Sequence, residues 1–206
     1  MSLKLGVFAS GRGSNFAALL KAIDEGRLDA AIHLLISNNA EAKALDLAKE
    51  RGIPIQVINK RDFPDRPAFL KAMQDALRFR SVGFICLAGY MKKIPIEIIQ
   101  DYKHRILNVH PALLPSFGGK GMFGHHVHEA VLKNGCKVSG VTVHLVDEEY
   151  DRGPIVAQRC VPVEEGDTPD TLAARVLKVE HVLFPEAIQL FAQGRVAVEG
   201  QRTVIR

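Results

Sequence analysis

No apolar run in these 206 residues approaches the ~18–20 needed to cross a bilayer, and no stretch is low-complexity, repetitive or linker-like. Membrane-spanning, fibrous and disordered classes are excluded on that ground. The opening Met1-Ser2-Leu3-Lys4 leads straight into strand-like residues instead of a signal-peptide core, so no targeting segment is expected. Cysteine is scarce: Cys86, Cys136 and Cys160 are an odd number, widely spaced and without a CxxC pair. That argues against a disulfide framework and makes the cytoplasm the expected compartment. Charge of one sign is scarce as well. The 27 basic and 23 acidic residues leave a net charge of +4, dispersed along the chain. Such a surplus suits anionic small molecules and leaves no clustered footprint for nucleic acid. Gly-x-Ser-x-Gly is absent, which removes the α/β-hydrolase nucleophile.

What is present is the material of a core. Hydrophobic residues make up 47% and charged residues 24% of the chain, with a mean hydropathy of +0.05, and one domain over residues 1–206 is expected. Short apolar runs alternate with helical patterns: strands at 3–9, 31–36, 55–58, 83–88 and 105–110, and helices at 15–23, 40–51, 67–79 and 94–102. The order predicts an α/β fold, a doubly wound, mostly parallel Rossmann-like sheet. After His110 the pattern changes to a Gly-rich stretch at 117–124, a helix near 127–133 and two extended runs, 138–146 and 155–163, read as an antiparallel C-terminal strand pair. A long C-terminal helix over 168–193, capped by Asp167 or Thr168 and broken or kinked at Pro185, closes the chain.

In doubly wound sheets ligands lie beyond the carboxyl ends of the strands. The loop Ala9-Ser10-Gly11-Arg12-Gly13-Ser14-Asn15 joins the first strand to the first helix, where backbone amides and the helix dipole can receive a phosphate. It lacks the full GxGxxG spacing and a Walker lysine, so a monophosphate fits better than a dinucleotide. The plain alternative is a turn with Ser14 or Asn15 as cap. Strand alternation puts Asn108 and His110 on one face, where an amide and an imidazole can donate to a developing oxyanion and the imidazole can move a proton. Asp151, ahead of Gly153-Pro154 in an acidic loop, can present a carboxylate that raises the pKa of His110. His125, His126 and His128 lack a cysteine partner and are read as a solvated loop, with no metal assigned. His33, His104, His144 and His181 show no distinctive spacing.

On these residues the chain resembles the folate-dependent formyltransferases, within them the branch acting on glycinamide ribonucleotide. The matching segments are FASGRGSNFAAL, LAGYMKKI, ILNVHPALLPSF, VSGVTVHLVDEEYDRGPIVAQ and GDTPDTLAARVLKVEHVLFP, from residue 8 to about 185. The resemblance implies that Asn108, His110 and Asp151 are the catalytic trio. It implies that Gly13, Ser14 and Asn15 hold the ribonucleotide phosphate and that Glu180 lies near the glycinamide end. Arg61, Met91, Lys92, Lys93, Ile94, Asn108 and Asp147 are implied on the side of the co-substrate, 10-formyltetrahydrofolate, with Leu87 and Ala88 bordering its pteridine. Lys92-Lys93 stand where many relatives carry an arginine, and the 118–124 loop is longer and richer in glycine than expected. The implied reaction is direct attack of the glycinamide amine on the formyl carbon, in a monomer or homodimer without metal, nucleic acid or membrane. Methionyl-tRNA formyltransferases and formyltetrahydrofolate deformylases share the trio but usually carry a further domain. A non-catalytic phosphate-binding Rossmann-like module is the alternative from another class.

Overall fold

The computed structural model describes residues 2–206, which fall into two compact units meeting in sequence between Ile106 and Leu107. The first unit alternates β1 (Leu3–Phe8), α1 (Ser14–Asp24), β2 (Ala30–Ser37), α2 (Lys43–Glu50), β3 (Ile55–Val57), α3 (Arg66–Phe79), β4 (Phe84–Leu87) and α4 (Ile96–Asp101). Its strands are parallel in the order β3-β2-β1-β4. Residues 5–8 of β1, 34–36 of β2 and all of β4 are apolar because both faces are covered: Val7, Phe8, Leu35, Ile36, Ile85 and Cys86 are fully buried. Amphipathic helices supply the cover, through Phe16 and Leu19 from α1 and Met73 and Leu77 from α3. Asp65 caps α3 by accepting from the Ala68 amide at 2.8 Å, and Pro67 occupies its first turn. The chain leaves β1 toward β2 on one side while β4 lies on the other, so the exit of β1 is a topological switch point.

The second unit comprises β5 (Ile106–His110, starting at the boundary), α5 (His125–Lys133), β6 (Val138–Leu145), β7 (Ile155–Pro162), α6 (Pro169–Ala192), β8 (Val196–Glu199) and β9 (Arg202–Ile205). The expected antiparallel pair is β6 and β7, and β5 is also antiparallel to β6, with Asn108 opposite His144 and His110 opposite Thr142. The capping residue of α6 is Thr168, in a reciprocal box with Thr171, and Asp167 is drawn in by Arg175 and Thr171.

Two expectations for the C-terminal end are corrected. The helix is not interrupted at Pro185 but continues through it as one element: Pro185 is buried beside Phe184, Ala187 and Ile188, and the packing of that face outweighs one lost backbone hydrogen bond. Nor does α6 close the chain. A hairpin of β8 and β9 follows, joined through Gly200-Gln201, and Ile155 of β7 pairs with Arg202 of β9. No described helix is long and apolar enough to cross a membrane.

Candidate active site

The β1 exit loop and the β4 exit line one cavity of about 340 Å³, bordered by Ser10 to Asn15, Ala88, Gly89 and Met91. The N-cap of α1 is Gly13, with φ 77°, and no side chain caps the helix, so neither Ser14 nor Asn15 plays the capping role. The first helical bond runs from Ala17 N–H to the Gly13 carbonyl at 2.8 Å, which leaves the amides of Gly13 and Ser14 bordering the cavity. With the positive end of the α1 dipole behind them, these groups make an anion cradle. Glycine is required at 13 on two counts: its left-handed backbone, and the approach of Ala44, whose Cβ would lie 2.8 Å from an added Cβ. Gly13→Ala is therefore expected to abolish the rise in melting temperature that inorganic phosphate confers on the parent, read by calorimetry with and without phosphate.

In the second unit, register brings Asn108, His110, Thr142 and His144 to one face of the β5–β6 pair. Asn108 Nδ2 lies 3.1 Å from His144 Nε2, and His144 Nδ1 lies 2.9 Å from the Leu145 carbonyl. A carbonyl only accepts, so His144 carries a proton on Nδ1, and its Nε2 faces the Asn108 amide and Asp151. The same rule places a proton on His110 Nε2, which donates to the Phe117 carbonyl at 2.8 Å. Asp151 completes the group. Its Oδ2 stands 3.7 Å from His110 Nδ1 and accepts from the Gly119 amide at 2.8 Å, while Oδ1 approaches His144 Nε2 to 3.5 Å. Thr142 bonds the turn after His110, donating to the Ala112 carbonyl at 2.6 Å and accepting from the Leu114 amide at 3.0 Å.

Two of the four described non-glycine residues with positive φ, Phe117 and Asp151, both at 56°, lie against His110. Strain of this kind collects where a side chain or carbonyl must be aimed. Gly153 explains the aim of Asp151. A Cβ there would lie 1.9 Å from the Leu145 carbonyl oxygen, so only glycine lets the chain fold back tightly enough for Leu145 N–H to reach the Pro154 carbonyl at 2.9 Å.

The electrostatics correct one expectation. Burial dominates at His110, 3% exposed, and lowers its pKa; the attraction of Asp151 and the Phe117 carbonyl opposes this without reversing it, and His144 adds to the lowering. At Asp151 burial pushes upward, but His144, His110 and the Gly119 amide outweigh it and hold the carboxyl below its usual range. The site therefore pairs a carboxylate with an imidazole that is mostly neutral near pH 7.

The 125–128 histidines differ from a solvated loop. They open α5, and although His125 and His126 are exposed beside Asp170 and Glu129, His128 is 4% exposed with no hydrogen-bond partner for Nδ1. Burial, reinforced by His125 and His110, lowers its pKa to about 4 from the ordinary 6.5. Because the unfolded chain binds this proton more readily, stability is expected to fall as pH drops from 6.5 to about 4, by about 3 kcal/mol from this group. His128→Leu should flatten that slope, measured as urea midpoint against pH. No group of three or more ligating side chains suited to a metal occurs among the described residues.

The other implied residues are scattered between the units. Met91 lines the cavity, Ile94 is buried, and Lys92 and Lys93 are exposed. Arg61 lies on an exposed 3₁₀ turn, Lys60–Asp62, away from the cavity lining. Asp147 is half-buried and accepts from the Glu149 amide at 3.0 Å, and Glu180 is buried on α6. His144 is the member of the site that spacing alone does not reveal. Its signal is cross-strand: a polar residue opposite Asn108, two positions beyond Thr142 on the same face of β6.

An α/β chain with an anion cradle at a switch point, and with an amide and two imidazoles on one strand pair beside a loop carboxylate, carries groups suited to group transfer: donors for an oxyanion and a base to move a proton. The formyl transferase family matches residues 3–188, and the chain belongs to that family. It is 39% identical to the phosphoribosylglycinamide formyltransferase of Bacillus subtilis, over 90% of this chain and 93% of that one. The chloroplastic phosphoribosylglycinamide formyltransferase of Arabidopsis thaliana is 44% identical over 94% of this chain, which spans 66% of the length of that relative. The structure of glycinamide ribonucleotide transformylase 1 from Symbiobacterium toebii superposes with a TM-score of 0.93 at 40% identity, covering 99% of this chain and 94% of that one. That likeness supports the doubly wound class.

Proposed function

We propose that residues 1–206 act as one formyltransferase domain, transferring the formyl group of 10-formyltetrahydrofolate to the amine of 5′-phosphoribosylglycinamide in purine biosynthesis. The observation that carries this reading is the convergence of Asn108, His110, His144 and Asp151 through the β5–β6 register. The Gly13–Asn15 cradle takes the phosphate, with Glu180 toward the glycinamide end. Met91, Lys92, Lys93 and Ile94, with Arg61 and Asp147, serve the folate. The amine nitrogen attacks the formyl carbon, and the formyl oxygen becomes an oxyanion that accepts from Asn108 Nδ2 and from His110 Nε2–H. In the free chain that N–H is held by the Phe117 carbonyl, so the oxyanion must displace that carbonyl from the donor. A proton taken up from solvent at Nδ1 makes His110 an imidazolium, and Asp151, 3.7 Å away, is its counter-charge. A water carries the proton from the attacking nitrogen to the leaving N10, and collapse of the tetrahedral species breaks the carbon–N10 bond. The proposed setting is the cytoplasm, as a monomer or homodimer acting on small molecules alone.

The test is the ultraviolet absorbance change of 10-formyl folate with glycinamide ribonucleotide, with Met-tRNA or with no acceptor. Loss of formyl folate only in the first arm is expected. Equal loss without acceptor would mean a deformylase, dependence on the tRNA a different acceptor, and no loss in any arm a binding module.

A further inference from the structure

Four hydrogen bonds meet on Ser10, just beyond the end of β1. Its N–H donates to the Gly89 carbonyl at 3.1 Å, and its carbonyl accepts from Asn39 Nδ2 at 3.3 Å. Its hydroxyl donates to Asn38 Oδ1 and accepts the Met91 amide proton at 2.8 Å. Two of these bonds reach the segment after β2 and two the segment after β4, so one residue ties together three strand exits.

The backbone pair and the side-chain pair do different work. The backbone bonds anchor the start of the cradle, which is further fixed where the Ala44 amide donates to the Gly11 carbonyl at 3.2 Å and where Gly13 packs on Ala44. The hydroxyl is not needed for those anchors. It is half-buried at the cavity wall, and what it adds is a bridge from Asn38 to Met91, the residue that opens the folate-side segment. A hydroxyl has one proton to give and lone pairs to receive, and here both capacities are used in opposite directions.

We propose that the Ser10 hydroxyl is a positioning group that sets the spacing between the phosphate cradle and the Met91 segment, and so aligns the two substrates for attack. The inference rests on the formyl-transfer reading above. Direct transfer needs the amine nitrogen within about 3–3.5 Å of the formyl carbon, and a displacement of about 1 Å can cost on the order of 10²-fold in rate. Each substrate alone still meets an intact binding segment when the bridge is lost; only their alignment suffers.

Ser10→Ala is accordingly expected to lower kcat ten- to a hundredfold while the separate Kd values for glycinamide ribonucleotide and for the folate stay within about threefold of the parent. Asn38→Ala, which removes one end of the bridge, should give a smaller loss of the same kind, and Ser10→Thr, which keeps the hydroxyl, should restore most of kcat. Calorimetric Kd values, single-turnover rates and melting temperatures are measured for all four proteins. An unchanged kcat in Ser10→Ala overturns the proposal. So does a parallel fall in kcat, both affinities and melting temperature that Ser10→Thr does not relieve, since that pattern marks a merely structural serine. A parent that binds inorganic phosphate but transfers no formyl group overturns the functional reading itself, and this inference with it.

Discussion

His110→Ala is expected to lower kcat for formyl transfer by ~10²–10³ while leaving the affinity for both substrates within a few-fold. The ring is buried against its own unit and gives one aimed N–H, at present on the Phe117 carbonyl. Removing a preorganised donor leaves the developing oxyanion to Asn108 alone. The pH dependence sharpens the test. Because the His110 pKa is lowered from 6.5, its titration in the free enzyme belongs below that value, and an inflection near pH 7–8 is not its own. The kcat/KM profile of the parent, which reports free-enzyme groups, should carry an inflection below pH 6.5, activity falling as pH rises through it, that His110→Ala lacks. Turnover within threefold of the parent, or an unchanged inflection, removes His110 from the chemistry.

The first unit is readable from sequence because each of its signals is local. Runs such as residues 5–8 and 84–87 are apolar throughout, their exits are marked by Gly, Ser and Asn, and the helices between them repeat at 3.6 residues with Pro67 and Asp65 at the start of α3. The end of the chain is less so. VAVE and RTVI are four residues each and half exposed, too short for a periodic signal, and their pairing depends on one another and on β7. The break expected at Pro185 is absent for a related reason. The local rule against proline in a helix is sound, but it weighs one lost bond and cannot see the buried face that Phe184, Ala187 and Ile188 supply.

At the site, Asn108, His110 and Asp151 are legible because alternation and the Gly153-Pro154 turn are sequence features, and the motif they form carries the resemblance. His144 is not, since its place depends on antiparallel register between β5 and β6, which no spacing within either strand records. The sign of the His110 shift is hidden for a different reason. A neighbouring carboxylate can be guessed from the chain, whereas the amount of water excluded from the ring is a property of the packed unit, and burial proves the larger effect. His128 shows the same limit: only helix phase buries it while His125 and His126 stay in solvent.

Asp151→Asn isolates the charge of the carboxylate from its shape. Asparagine tolerates the left-handed backbone that residue 151 adopts, with φ 56°, and its side-chain oxygen can still accept from the Gly119 amide, so the turn should persist. What goes is the negative charge 3.7 Å from His110 Nδ1 and 3.5 Å from His144 Nε2. Since Asp151 is the leading influence holding the His110 pKa up against burial, its neutralisation should drive that pKa lower still. The imidazolium formed when His110 takes a proton from solvent at Nδ1 then lacks its counter-charge, and kcat is expected to fall by ~10²–10³. Stability moves with a definite sign. The Asp151 carboxyl is held below its ordinary 3.8, so the charged form stabilises the fold above that pH and the contribution is lost as pH falls through the lowered value. The variant should therefore unfold at lower urea than the parent near pH 7, with the gap closing in acid. Proton NMR titration of the His110 ring reads the first effect, single-turnover kinetics the second and urea midpoints the third. A variant with the His110 titration unmoved and kcat at the parent level would show that Asp151 serves only to tie the 117–119 loop, a role its oxygen could fill without charge.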